Sequence, residues 1–137
     1  MASIHHRAPL EVSADTAWDF LECYARASVH VFSSCVGERL VDDFRVVTLG
    51  DGTEIWERNV TVDPVHRRAS YTTPGLHDAE HHHAEMRIEE GADGVAHLVW
   101  VTDYLPHSLA EDRAPVYEGL FGDLLAAVNG HRGPATD

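Results

Sequence analysis

The stretch Phe44-Arg45-Val46-Val47-Thr48-Leu49-Gly50-Asp51-Gly52-Thr53-Glu54-Ile55-Trp56-Glu57-Arg58 decides the fold. Two runs rich in β-branched and aromatic residues flank an Asp-Gly pair, and Asp-Gly tolerates the positive φ angles of a tight hairpin turn. If Asp51 and Gly52 form a two-residue loop, Gly50 faces Thr53. Thr48 then faces Ile55, Val46 faces Glu57 and Phe44 faces Asn59 on one side of the ribbon, while Val47–Trp56 and Arg45–Arg58 occupy the other. The side with Phe44, Val46 and Ile55 carries no Arg and reads as inward, which brings Glu57 in with it. Trp56, Val60 and Val62 fall on the outer side, where an exposed apolar strip would favour a homodimer; a bulge would reverse the assignment.

Working outward, the chain from residue 34 to residue 106 reads as strand after strand. Val36 to Val41 is extended before Asp42-Asp43, and Asp63-Pro64-Val65-His66 is a turn. Arg67 to Thr73 alternates with Ala69, Tyr71 and Thr73 on one side, until Pro74-Gly75 stops it. Between 76 and 90 His77 precedes His81-His82-His83, and alternation places His82 on the same side as Met86 and Ile88. After Gly91-Ala92-Asp93-Gly94, the residues Leu98, Trp100, Thr102 and Tyr104 alternate along a last strand. Residues 3 to 12 read as a first strand. Ser13 then caps a helix over Ala14 to Arg26 whose apolar stripe is Ala17, Trp18, Leu21 and Tyr24 or Ala25. Ser28 to Ser33 is ambiguous between a strand and a short second helix. Ser108-Leu109-Ala110-Glu111 fits a capping box for a long helix carrying Val116, Leu120, Leu124 and Val128, with Asn129-Gly130 as its stop; Pro115 could instead be its first residue. The tail from about His131 is expected to fray.

Of the 137 residues 10 are basic, all of them Arg, and 23 are acidic, so the formal charge is −13; the eleven His, if fully protonated, would take it to −2. Nucleic-acid and membrane-surface binding need a basic patch that this composition does not show. At 15.2 kDa there is material for one core and not two, so residues 1–137 are read as a single domain. No apolar run is long enough to span a bilayer, and the N-terminus lacks the apolar stretch of a secretory signal, so a cytoplasmic location is expected. Cys23 and Cys35 form no CxxC pair and read as reduced small hydrophobes. No elbow presents a nucleophile and no glycine-rich loop cradles a phosphate.

Strand, helices, consecutive antiparallel strands and one long C-terminal helix form an α+β arrangement in which the helix must cover the apolar face of the sheet. That order, with Ala14-Asp15-Thr16-Ala17-Trp18-Asp19-Phe20-Leu21, with Asp51-Gly52-Thr53-Glu54-Ile55-Trp56-Glu57-Arg58 followed by Asp63, and with Val99-Trp100 leading to Tyr104-Leu105-Pro106, resembles the SRPBCC (START-like) superfamily. It looks closest to the bacterial polyketide cyclase/dehydrase branch and more distantly resembles plant abscisic acid receptors. The resemblance implies a helix-grip fold: a curved antiparallel sheet of six to seven strands around the long helix, two short helices after the first strand, and a cavity for a small hydrophobic molecule. It also implies positions. Glu57 matches an inward glutamate that contacts ligand through water in the receptors, His82 matches an inward tyrosine of their pocket, and His77 lies near their closing loop. Some cyclases use an inward Arg on the strand matching Ile55 to Thr61, where this chain has Glu57, Asn59 and Thr61.

The candidate chemistry centres on Glu57 and His82 as catalytic residues. Desolvation raises the pKa of a carboxylate in an apolar cavity, and an imidazole nearby could share its proton, a pair suited to cofactor-free cyclisation, aromatisation or dehydration of a polyketide-like substrate, lyase-type chemistry of secondary metabolism. Tyr71, Asn59, Thr61, His77, Met86, Trp100, Tyr104, Leu120 and Leu124 are the expected substrate-binding residues. The competing reading has Glu57 paired with an Arg or a helix terminus and His82 only rimming the mouth, and a non-catalytic protein that carries, senses or sequesters the same molecule is the alternative function. The His run does not favour a metal: along a strand His81 and His83 point one way and His82 the other, so no cofactor and no metal are expected. Gly119 and Gly122 in the last helix would leave room for a ligand or mark loose packing.

Overall fold

A computed structural model of the chain describes residues 2–26, 29 and 31–133. In it the central hairpin, β3 (Phe44–Leu49) and β4 (Glu54–Asp63), closes over three residues and not two. Leu49 N–H donates to Thr53 O at 2.8 Å, Gly52 N–H donates to Leu49 O at 3.0 Å, and Gly52 sits at φ 88°. A left-handed glycine ending a three-residue loop is the type I turn with a G1 bulge, and Asp51 Oδ1 braces it by accepting Thr53 N–H at 2.9 Å. The pairing therefore slides one residue from the expected one: Arg45 faces Glu57, Val46 faces Trp56 and Val47 faces Ile55. A one-residue slip turns every β3 side chain over. Arg45, Val47 and Leu49 join Ile55 and Glu57 on the inner face, and Phe44 and Val46 go out with Trp56.

A second irregularity lies in the pairing of β4 with β5 (Arg68–Thr72). Asn59 faces Tyr71 but Thr61 faces Ser70, so Val60 is the extra residue of a bulge. Val62 consequently turns inward, opposite the buried Ala69, and Thr61 takes the outer side, away from Tyr71. The expected outer strip keeps Trp56 and Val60 and loses Val62.

With β1 (Ser3–Pro9), β2 (Cys35–Val41), β6 (His81–Glu90) and β7 (Ala96–Leu105), the described residues form one antiparallel sheet of seven strands, ordered β1-β7-β6-β5-β4-β3-β2. Helix α1 (Ala14–Arg26) begins as expected, with Thr16 N–H donating to Ser13 Oγ at 3.1 Å, and buries Ala17, Trp18, Leu21, Tyr24 and Ala25 against the inner face. Val29 and Val31–Phe32 are irregular; Ser28 and His30, where the short second helix was expected to run, lie outside the described residues.

Helix α2 (His107–Gly130) packs on β1 and β7. It starts before the expected capping box: Pro106 precedes the first turn, no side chain caps it, and Ser108 lies inside, as does Pro115. Its buried line is Ala110, Tyr117, Phe121, Leu124 and Val128, rotated so that Val116 is exposed and Leu120 half-buried. The chain is still held at His131, whose Nε2 lies 2.7 Å from Asp19 Oδ2 on α1 and whose ring packs edge-on against Phe20. Among the described residues no helix is long and apolar enough to cross a membrane.

Candidate functional site

Where α2 leans away from the sheet between β3–β5 and the turn after β5, a cavity of about 230 Å³ opens. Its floor and walls are apolar or aromatic: Phe32, Val47, Leu49, Ile55, Trp100 and Leu120, with Leu76, Val116 and Tyr117 nearer the helix. Among the polar groups that face it, Glu57, Tyr71, His82 and Tyr117 are each held by a partner side chain or backbone group. A larger but shallow groove between β1 and α2, lined by Ser3, His5, His6, Glu111 and Glu118 among others, is open to solvent and gathers none of the candidate residues.

Glu57 enters from β4. Its Oε2 accepts Arg45 Nη2–H at 2.6 Å, with both side chains largely buried. The Arg45 guanidinium also donates through Nη1 to Tyr24 O at 2.9 Å and stacks on the Tyr24 ring 3.7 Å from its centroid. Burial alone would lower the Arg45 pKa, but Tyr24, Glu57 and Glu38 around it raise it above the ordinary value. The carboxylate expected to stand alone in an apolar pocket is thus half of an ion pair, because the one-residue slip carried Arg45 to the inner face.

His82 enters from β6 and is buried. Thr73 N–H donates to its Nδ1 at 2.9 Å, and Thr72 Oγ1 donates to its carbonyl at 2.7 Å. An Nδ1 that accepts a backbone N–H belongs to the neutral imidazole with its proton on Nε2. Burial first, then the neighbouring His83, His81 and His77, push its pKa down to about 4. His82 is therefore a neutral donor at physiological pH. It does not pair with Glu57: β5 runs between β4 and β6, which separates their backbones by two strand spacings, roughly 10 Å. The shared-proton pair expected from the sequence is not assembled.

Tyr71 accepts Trp100 Nε1–H on its hydroxyl at 3.2 Å and keeps its own proton to donate into the cavity. Burial, then Glu57 and Tyr117, hold its pKa well above the usual value. Tyr117 and Tyr104 join hydroxyls at 2.7 Å beneath the helix, and burial raises both phenols.

Of the residues expected to contact substrate, Tyr71, His77, Trp100 and Leu120 line the cavity together with Glu57 and His82. Met86, Tyr104 and Leu124 do not: at most 2% exposed, they lie in the packed core, Tyr104 with its ring 5.1 Å from that of His82. Asn59 spends its amide on Ala25 O at 2.6 Å, beyond the cavity, and Thr61 is turned out by the bulge. Sequence reading missed Arg45, Thr73, Arg113 and Tyr117. Arg113 and Tyr117 were legible at i, i+4 on the stripe that also carries Val116 and Leu120; Arg45 was hidden by the hairpin register. Gly119 and Gly122 face open space outside the cavity.

The seven-stranded antiparallel sheet with a long C-terminal helix packed against it is a helix-grip fold. No family model and no curated protein matches the sequence. Solved structures superpose closely: XoxI from Bacillus cereus, at 17% identity and a TM-score of 0.74 over 94% of both chains; a protein from Thermobifida fusca, at 21% and 0.68 over 99% of this chain and 100% of that one; and norcoclaurine synthase from Thalictrum flavum in complex with dopamine and hydroxybenzaldehyde, at 16% and 0.71 over 96% of this chain and 88% of that one.

Proposed function

We propose that the protein binds a small, ring-sized, largely apolar molecule in the cavity under α2, with Glu57, Tyr71 and His82 orienting its polar groups. One observation carries this reading: an apolar, aromatic-walled cavity into which Glu57, Tyr71 and His82 project, each held by its own partner, which is the general form of a small-molecule site. At about 230 Å³ the cavity is smaller than the roughly 300–1,000 Å³ that takes drug-sized ligands, which favours one ring over a multi-ring polyketide. A similarly folded protein, norcoclaurine synthase, has been captured with dopamine and hydroxybenzaldehyde, each built on a single aromatic ring. Native mass spectrometry of the protein from its own host tests the reading. A co-purified molecule that a bulky Leu120→Trp change excludes supports it, and a ligand whose retention ignores that change overturns it.

A catalytic role of the cyclase/dehydrase kind, cofactor-free and in a bacterial cytoplasm, is the second reading. It is favoured by the position of Glu57: Oε2 takes the Arg45 bond, and among the described residues no hydrogen bond engages Oε1. That oxygen would act as the base on a substrate proton, with the Tyr71 hydroxyl donating to the developing oxyanion. Glu57→Gln keeps the shape and removes the base, so a turnover that survives it with an identified substrate excludes this chemistry.

A further inference from the structure

Arg113 projects from the second turn of α2 into the mouth of the cavity. Among the described residues eight arginines stand within salt-bridge distance of a carboxylate. Arg113 does not, in a chain with 23 acidic residues and 10 Arg. Its Nε is buried and without a hydrogen-bond partner, and a desolvated donor left unpaired is unfavourable unless a ligand engages it. The helix explains the isolation. Positions three and four residues away are Leu109, Ala110, Val116 and Tyr117, so no acid on its own helix can reach it.

Charge in the cavity then sums simply. Glu57 is neutralised by Arg45 at 2.6 Å, and His82 is neutral because Nδ1 accepts the Thr73 amide. His77 lies across the mouth, and burial and then the Arg113 charge lower its pKa, so it too is neutral. It stands there on a strained backbone, with His77 at φ 53° and Asp78 at φ 58°, conformations that persist where the surroundings impose them. Among the described residues Arg113 is the one uncompensated charge facing the cavity, a local +1 on a protein of −13. The inner wall beyond it is aromatic: the Phe32 and Trp100 rings stack at 5.8 Å and Tyr117 lies 5.3 Å from Trp100.

We propose that the ligand is a small aromatic acid whose carboxylate is taken by the Arg113 guanidinium at the mouth and whose ring lies inside against Trp100 and Phe32. The inference rests on the cavity being a ligand site and names the class of molecule it selects. A guanidinium fork matches a carboxylate bidentately, which an amide of the same shape cannot reproduce.

Matched acid and primary-amide pairs test it: phenylacetate, cinnamate and 1-naphthoate against their amides, titrated calorimetrically into the full chain at fixed ionic strength. The expected result is that the acid of at least one pair binds about tenfold or more tighter than its amide, as a charge-assisted hydrogen bond in a desolvated site provides. R113Q should abolish that preference, R113K should keep part of it, and R132Q, a control of equal charge change elsewhere, should leave it intact. Circular dichroism establishes that each variant is folded. Amides binding as well as acids, or a preference that survives R113Q, overturns the carboxylate assignment and leaves the cavity reading standing. If no member of the panel binds at millimolar concentration, both fall.

Discussion

Arg45 and Glu57 stand directly opposite each other on β3 and β4, and Nη2 of one donates to Oε2 of the other at 2.6 Å in the wall of the cavity. Removing one partner of such a buried pair leaves an uncompensated charge, which costs about 3–5 kcal/mol, whereas replacing both with apolar groups is often near neutral. Urea denaturation should therefore show Arg45→Met losing several kcal/mol and the double change Arg45→Met with Glu57→Leu recovering most of it. Strictly additive losses would show that the two side chains are not energetically coupled.

Thr73 N–H and the His82 imidazole make a pH-dependent contact. The His82 pKa falls from 6.5 in the unfolded chain to about 4 in the fold, so between those values the unfolded state binds more protons and stability rises with pH. The contribution is complete above about 6.5, is lost as pH falls towards 4, and amounts to about 3 kcal/mol at most. His82→Gln should flatten the difference in stability between pH 4 and pH 6.5 relative to the parent chain, with the acid losses from other groups common to both. An unchanged slope would mean that His82 protonates freely in the folded protein.

The strand order and the inward faces of β6 and β7 were legible because strict alternation, as in His82-Ala84-Met86-Ile88 and Leu98-Trp100-Thr102-Tyr104, has no competing register. The hairpin was not. Gly50-Asp51-Gly52 serves equally as flank and turn or as a three-residue loop, and the choice shifts the pairing by one, which decides whether Arg45 points at Glu57 or at solvent. Val60 repeats the lesson: β-branched sequence reads as regular strand, and nothing local announces the bulge that turns Thr61 out and Val62 in. Of the candidate residues, Glu57, Tyr71, His77, His82, Trp100 and Leu120, read from alternation, helical spacing and resemblance, line the cavity. Met86, Tyr104 and Leu124 were misplaced because an inward face contains both cavity lining and packed core, and only three-dimensional packing divides them.

The Tyr71 hydroxyl serves two purposes, accepting Trp100 Nε1–H at 3.2 Å and facing the cavity. Tyr71→Phe should cost about 1–3 kcal/mol by leaving the indole N–H unpaired, and it should also weaken any ligand that takes the phenolic proton. Thermal unfolding with and without ligand separates the two: an apo loss with ligand affinity preserved would confine Tyr71 to holding Trp100.

Gly119 and Gly122 provide the converse case, in which stability should change and binding should not. Both lie on the exposed side of α2, and a Cβ added at either meets no atom within 4 Å. Neither has a left-handed backbone, so alanine gains the helix propensity that glycine forfeits, roughly 0.5–1 kcal/mol per site, without a clash. The double change Gly119→Ala with Gly122→Ala should raise the unfolding midpoint by a few degrees and leave ligand affinity at its original value, because the cavity is walled by Arg113, Val116, Tyr117 and Leu120 on the other side of the helix. Affinity falling while stability rises would mean that α2 must flex at these glycines for a ligand to enter, and the binding rate, measured by stopped flow, would slow in step.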